Sequence, residues 1–360
     1  MHNPRHVPLL VWRRVGARMS HQFCHLLNAY ALPPETINLY PTDRCNLACS
    51  MCFEKSRKPH PEMALEDWIK IIEQIKKFYP RIHLSGGEPF LYPEIKGLLS
   101  HLRKCGLFVA ITTNGTFLAK YAREIIDMQI NELHVSIDGP KEVHDKIRGV
   151  AGTYDRIIEG LMEIKKVKKN GTLPIIRINS MIDFSNGDIM KKMIELSRDI
   201  DAESIQFLHP LFADTQSLAT HRRFLQEHLN RDLNYWQYAD IACDKPADFT
   251  TVYNMLNGIK RGHTLSVEIL PRFELQQMKA YYNMDSRFYS IYDGMCRAMW
   301  NTATILASGE LESCPDYVLG NCKEESFLIL WNNEKMRKLR RRIRNHNFFT
   351  VCRACCYFYQ

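Results

Sequence analysis

Three cysteines stand close together in the run Thr42-Asp43-Arg44-Cys45-Asn46-Leu47-Ala48-Cys49-Ser50-Met51-Cys52. A [4Fe–4S] cube has four irons and usually takes four thiolates. Cys45, Cys49 and Cys52, in a C-x3-C-x2-C spacing, can hold three irons and leave the fourth open. An open iron is a chemical site, just as a catalytic zinc keeps an open position and a structural zinc does not. Taken alone, the three thiols also suit part of a zinc site. Thr36-Ile37-Asn38-Leu39-Tyr40, just ahead, alternates like a strand. That puts the triad on a loop at a strand's C-terminal end, where α/β barrels keep their chemistry.

Six of the chain's twelve cysteines fall in residues 293–360: Cys296, Cys314, Cys322, Cys352, Cys355 and Cys356. Cys296 and Cys314 form a C-x12-G-x4-C pattern through Gly309, and Cys352-x2-Cys355 follows. C-x2-C halves suit zinc as well as iron. Cys24, Cys105 and Cys243 read as structural, since a buried free thiol behaves as a small hydrophobe. The N-terminal apolar stretch is broken by Arg13, Arg14 and Arg18, which is unlike a secretory signal. No run of about 18 apolar residues predicts a spanning helix. Many cysteines without a signal point to metal or redox chemistry in a reducing compartment, so a cytoplasmic location is expected.

Ser85-Gly86-Gly87-Glu88-Pro89 is the second chemical signal. Two glycines let the backbone bend sharply and approach a ligand closely. The exposed amides and carbonyls, with Glu88, suit an ammonium group. Such a turn is weak evidence alone and strong evidence one strand and one helix after a C-x3-C-x2-C loop.

The net charge is +8. Part of the excess sits in Lys335–Arg344, which as a helix puts Met336, Leu339 and Ile343 on one face and cations around the rest. This reads as a solvated face; the sharper alternative is attraction to a phosphate, a nucleic acid or a lipid headgroup. Without interleaved aromatics, no nucleic-acid partner is indicated.

The elements that must position these residues follow from periodicity. Strand-like runs cover Ile37–Tyr40, Arg81–Leu84, Leu107–Thr112, Glu132–Ile137, Ile175–Met181 and Ser204–Leu208. Amphipathic helices lie between them, such as the one carrying Leu65, Trp68, Ile69, Ile72 and Ile75. This β-α rhythm predicts an α/β fold with a parallel sheet and right-handed crossovers. Six units fall short of the eight of a full barrel, so a partial (β/α)6 TIM-type barrel, open on one side, is expected. Four regions result. Residues 1–35 are an N-terminal extension read as helical, with Leu9, Leu10, Trp12, Val15 and Met19 on one face as a cap or a membrane-surface contact. Residues 36–210 are the barrel. Residues 211–292 are an aromatic-rich helical bridge, and 293–360 form a small cysteine-rich α+β module.

The triad and Gly86–Pro89 together resemble the radical S-adenosylmethionine (SAM) superfamily. Thr112-Thr113-Asn114-Gly115, Val135-Ser136-Ile137-Asp138-Gly139 and His144-Asp145-Lys146-Ile147-Arg148-Gly149 are similar to later stretches of that family, and the likeness covers about residues 36–210. One departure is Met51, where the family often has an aromatic; Met also packs against an adenine. The resemblance implies that Cys45, Cys49 and Cys52 bind a [4Fe–4S] cluster whose open iron chelates SAM. Gly86, Gly87, Glu88 and Pro89 would hold the SAM amino group. Ser136 and Asp138 would contact its carboxylate or ribose, with Asn114 and Arg177 or Asn179 assisting. One electron, from a donor such as flavodoxin or ferredoxin, would cleave SAM to methionine and a 5′-deoxyadenosyl radical that abstracts a substrate hydrogen.

The C-terminal cysteines resemble the auxiliary-cluster modules called SPASM and twitch. The chain's end shortly after Cys355 favours the twitch type, with one auxiliary [4Fe–4S] cluster on Cys296, Cys314, Cys352 and Cys355 and with Cys322 and Cys356 as rivals. The implied function is oxidation or bond formation at an unactivated C–H bond of a small molecule such as a sugar, nucleotide or lipid. Modification of a peptide or protein side chain is the alternative. A non-catalytic iron–sulfur or zinc protein is the alternative of another class, but it has no use for Gly86–Pro89 or Ser136–Gly139.

Overall fold

The computed structural model describes residues 29–53, 59–168, 173–182, 187–237, 248–258, 265–292 and 294–359. The Leu9–Met19 stretch, Cys24 and Cys243 lie outside them. In chain order the elements are β1 (Thr36–Leu39), α1 (Leu65–Ile75), β2 (Arg81–Leu84), α2 (Ile95–Lys104), β3 (Phe108–Thr113), α3 (Leu118–Asp127), β4 (Glu132–Ser136), α4 (Lys141–Arg148) and α5 (Thr153–Val167). Then follow β5 (Ile175–Met181), α6 (Gly187–Asp199), β6 (Ser204–Leu208), α7 (Thr215–Leu229), α8 (Phe249–Gly258), β7 (Ser266–Leu270), α9 (Leu275–Tyr282) and α10 (Phe288–Tyr292). The last are α11 (Ala298–Asn301), β8 (Thr302–Ile305), β9 (Glu310–Cys314), β10 (Tyr317–Asn321), α12 (Phe327–Trp331) and α13 (Glu334–Arg344).

The helices form where apolar residues recur at helical spacing. Helix α1 buries Trp68, Ile71, Ile72 and Ile75, and its first turn carries Glu66 and Asp67, which suit the positive end of the helix dipole. Helix α2 buries Ile95, Leu98, Leu99 and Leu102 and ends in His101, Arg103 and Lys104. Each such buried side chain is worth about 2 kcal/mol against exposure.

One sheet, in the order β10-β9-β8-β1-β2-β3-β4-β5-β6-β7, organises the described chain. From β8 through β1 to β7 every neighbour is parallel. The order is linear, so the barrel is partial, as its pattern predicts. Two features depart from expectation. Residues 211–292 are not wholly helical, because β7 pairs along β6. The cysteine-rich module is not a separate layer either, because β8 pairs with β1 on the open side of the expected six strands, Thr36–Leu39 against Thr302–Ile305.

Alternation along the strands sorts two faces. Ile82, Leu84, Val109, Ile111, Ile176, Ile178, Ile205 and Phe207 join the apolar core. The opposite face is polar. Asn38 donates to Thr304 Oγ1 (3.1 Å), His83 meets Thr112 Oγ1 (2.8 Å), and Gln206 donates to Glu268 (2.8 Å). Closed TIM barrels fill this space with branched apolar side chains; here it has the lining of a polar cavity.

The segment before β1 is tied to the module. Asn332 brackets Ala31 with two hydrogen bonds, 2.9 and 3.0 Å, and Trp331 Nε1 donates to Leu32 O. The fully buried Arg340 donates to Met299 O, Ala29 O, Trp331 O and Asn332 Oδ1. Arg337 lies over the Tyr30 ring, and Arg342 over Phe224 and Phe349. The basic run is therefore not simply a solvated face: three of its arginines hold the fold together.

Candidate functional site

The triad loop leaves β1 at Tyr40 and is held from two sides. Gly87 N donates to Thr42 O (3.0 Å) and Glu88 N to Arg44 O (2.8 Å). A Cβ on Gly87 would lie 2.3 Å from Arg44 O, so only glycine permits this approach. Gly86 has φ of +110°, a region that favours glycine. From the other side, Ala48 N and Ser50 N donate to the carbonyls of Arg148 and Ile147 at the end of α4. Cys45 is exposed, Cys49 buried and Cys52 intermediate.

Glu88 occupies a different place from the one expected. Its side chain is fully buried and accepts from Phe90 N, Thr113 Oγ1 and Asn114 N at 3.2, 2.9 and 2.8 Å. Burial pushes its carboxyl up to about 7 against these stabilising bonds. The carboxylate props the strand ends behind the loop, which leaves the turn's backbone to face a ligand. Asp138 departs likewise. It is 1% exposed, accepts from Met181 N (3.0 Å), and pairs with Arg148 at 2.6 Å, so it is no free partner for a ribose or carboxylate.

Asn114 donates to Cys45 Sγ (3.7 Å) and to Asn46 Oδ1 (2.9 Å), which places it against the cluster loop. Ser136 ends β4 beside Asn179 of β5. The buried Asn179 Oδ1 has no hydrogen-bond partner among the described residues, so it is the better candidate on β5 for a ligand contact. Arg177 is instead taken up by Glu132 (3.3 Å) and Ser204 (3.0 Å). Burial raises the Glu132 carboxyl, but His134, Arg81 and Arg177 outweigh it and hold it at about 2. Met51 and Pro89 sit on the two loops, half-buried and buried.

Cys296, Cys314, Cys352 and Cys355 line one cavity, with Trp236, Met299, Tyr357 and Phe358 among its walls. Burial pushes the Cys355 thiol well up, and the fields of Cys356, Cys314, Cys296 and Cys352 add to it. Among the described residues no three thiols come within 4.8 Å of one another. Three thiolates on one tetrahedral zinc lie about 3.8 Å apart. As placed, neither this set nor Cys45, Cys49 and Cys52 is gathered for one tetrahedral zinc, whereas a cube takes its ligands on separate irons. Cys322 lies outside this cavity, its thiol raised to about 12 by burial alone. Cys105 is only half-buried, with Sγ 3.6 Å from His101 Nε2.

A second cavity is lined from both regions. Tyr40 lines it from the barrel, and Thr304, Glu312, Cys314, Cys355 and Cys356 from the module. Tyr357 also lines it and accepts from Asn38 Nδ2 (2.9 Å) on the polar face. Tyr40, Glu312 and Tyr357 were not legible as site residues. Their closeness in sequence to Cys45, Cys314 and Cys355 is the one signal that points to them.

Residues 39–192 match the model of the radical SAM superfamily, and residues 296–356 match that of SPASM, an iron–sulfur cluster-binding domain. The chain thus carries a radical SAM domain followed by a SPASM-type iron–sulfur domain. Its first domain type uses a [4Fe–4S] cluster and SAM, and its second binds auxiliary iron–sulfur clusters. A cofactor-modifying protein of the tungsten-containing aldehyde ferredoxin oxidoreductase in Pyrococcus furiosus is 25% identical over 330 residues, 87% of this chain and 85% of that one. A GTP 3′,8-cyclase of Peptoclostridium acidaminophilum is 30% identical over 194 residues, 51% of this chain and 58% of its own. An Fe-coproporphyrin III synthase of Methanosarcina barkeri is 32% identical over 124 residues, 33% of this chain and 31% of its own. The chain thus spans less than two thirds of those last two. SuiB of Streptococcus suis, bound to SAM, shares the fold at a TM-score of 0.65 and 19% identity, over 85% of this chain and 68% of that one. Among the described residues no helix is long and apolar enough to cross a membrane.

Proposed function

We propose that this chain is a radical SAM enzyme that removes hydrogen from an unactivated C–H bond of a small polar molecule and completes an oxidation or a bond formation. The observation that carries this reading is the second cavity, shared by Tyr40, which follows β1 of the barrel, and by Thr304, Cys314, Cys355 and Cys356 of the module. A substrate there would face Cys314, Cys355 and Cys356, with Tyr40 five residues ahead of Cys45 in the chain. When bound, the cluster and SAM supply a 5′-deoxyadenosyl radical after one electron enters. The protein's part is to orient the reactants and exclude side reactions. Cys45, Cys49 and Cys52 would hold the first cluster, and the backbone of Gly86 and Gly87, with Ser136 and Asn179, would hold SAM. Cys296, Cys314, Cys352 and Cys355 would hold one auxiliary cluster, able to take an electron from the substrate.

The small-molecule reading is supported by the hydrogen-bonding side chains of the inner face and by the similarity, over most of both chains, to a protein named for cofactor modification. We infer a small one-electron carrier, a flavodoxin or ferredoxin, as partner. The test is anaerobic reconstitution with iron and sulfide, followed by reduction in the presence of SAM. About eight irons per chain and release of 5′-deoxyadenosine are expected. Metal binding without SAM cleavage would leave a binding protein in place of an enzyme. Modification of a peptide but of no small molecule would favour the maturase alternative.

A further inference from the structure

We propose that Arg148 is a positioning residue that raises the reduction potential of the cluster held by Cys45, Cys49 and Cys52, by placing a cationic N–H donor on the Cys49 sulfur. This rests on the reading of the triad as a cluster site. Arg148 belongs to His144–Gly149, whose place in the molecule the reaction itself does not explain.

The geometry is over-determined. Arg148 Nη1 donates to Cys49 Sγ at 3.7 Å, while Nη2 pairs with Asp138 Oδ2 at 2.6 Å. The guanidinium is 11% exposed and Asp138 1%. Asp138 is itself pinned, because its carboxylate accepts from Met181 N and its own N–H donates to His144 Nδ1 at 3.2 Å. The carbonyls of Ile147 and Arg148 accept from Ser50 N and Ala48 N, the residues on either side of Cys49. Gly149 has φ of +71°, and a Cβ there would meet Ala48 O at 2.8 Å. Asp145 fixes the next turn through Gly152 N and Tyr154 N, at 2.7 and 2.8 Å. The end of α4 is thus locked onto the cluster loop, with the guanidinium fork bridging a carboxylate and a ligand sulfur. A fork can serve two acceptors at fixed angles; an ammonium acts as a single point charge.

Hydrogen bonds to ligand sulfurs and nearby charge are levers on cluster potential. Reduction adds one negative charge to the cluster. A cationic donor on a ligand sulfur stabilises the reduced form more than the oxidised one, and burial strengthens the effect. Asp138 opposes it, since it sets a negative charge behind the same guanidinium. The two residues therefore make predictions of opposite sign.

The test is a redox titration of the reconstituted protein, following the electron paramagnetic resonance signal that changes when SAM is added, with iron counted beforehand. In Arg148→Met the reduced-to-oxidised ratio at a fixed solution potential should fall about threefold or more, which is about 28 mV by the one-electron relation. In Asp138→Asn the ratio should rise. Unchanged potentials with the iron intact would overturn the proposal, as would shifts of the same sign. If both variants lose iron, the wild type decides. With arginine labelled by ¹⁵N in the guanidinium alone, the reduced cluster should show a weak ¹⁵N coupling, and its absence would overturn the proposal. A wild type that takes up no iron at the triad would instead sink the cluster reading itself.

Discussion

Glu88 shows how a residue's type can be legible while its direction is not. A glutamate after two glycines reads as a ligand for an ammonium group, but the strand ends place the carboxylate inward, on Thr113 and Asn114. The resemblance points Asp138 toward the cofactor, whereas Arg148 and Met181 N hold it. Glu88 leads to a pH prediction. Its folded-state pKa, about 7, lies above the ordinary carboxylate value. Its stabilising share is therefore fully present below about pH 4.3 and is lost as pH rises through about 7. In wild type this term lowers stability between about pH 5 and pH 8. Glu88→Gln should remove that slope: it should lower stability by about 1–3 kcal/mol at the acid end, because its amide nitrogen must face a donor, and the difference should shrink as pH rises through about 7. Thermal unfolding of the metal-free chain across the window checks it; parallel profiles for the two proteins would count against this role.

At the scale of elements, the two cysteine sets hang on different supports and should fail separately. Gly87→Ala forces a Cβ to within 2.3 Å of Arg44 O and should empty the triad, so that about four of eight irons remain. Cys314→Ala should remove the other four, while Cys356→Ala should keep about eight, since Cys356 lies outside the cavity that the other four thiols share. Iron and sulfide assays read all three; loss of auxiliary iron in Cys356→Ala would make it a ligand. The first six strands were legible because each alternates between helices of clear period, as Ile176, Ile178 and Arg177, Asn179 do in β5. Strand β7 was hidden by the helices on either side. The strands β8 to β10 are short, four or five residues each, and the cysteine spacing around them drew attention to ligands rather than to pairing.

For the whole molecule, the boundary near residue 293 is one of sequence pattern and not of structure. The sheet runs across it through β8 and β1. A chain ending before residue 293 would expose the one edge of β1 that β8 covers, and open edges of this kind pair with other chains. Such a truncation should be insoluble or aggregated by light scattering; a monodisperse, folded product would contradict it. Arg340 makes the same join from within. Arg340→Met leaves four oxygen acceptors without their donor and should cost about 3 kcal/mol or more, seen as a lower urea midpoint at unchanged slope. Nothing in a run of arginines tells which one points inward; only the packing of Ala29–Leu32 against α12 and α13 decides it.

The pairing of β1 with β8 has a consequence for how the enzyme can admit its substrate. The strand that ends at the triad loop and the strand that opens the module are hydrogen-bonded neighbours over four residues each. The module cannot swing away like a door without breaking that ladder, so the two proposed cluster sites are tied together through the sheet. A molecule enters by fitting the gap that exists. Tyr40, Tyr235, Glu312 and Tyr357 line the second cavity, so substitutions there should change which molecules it admits.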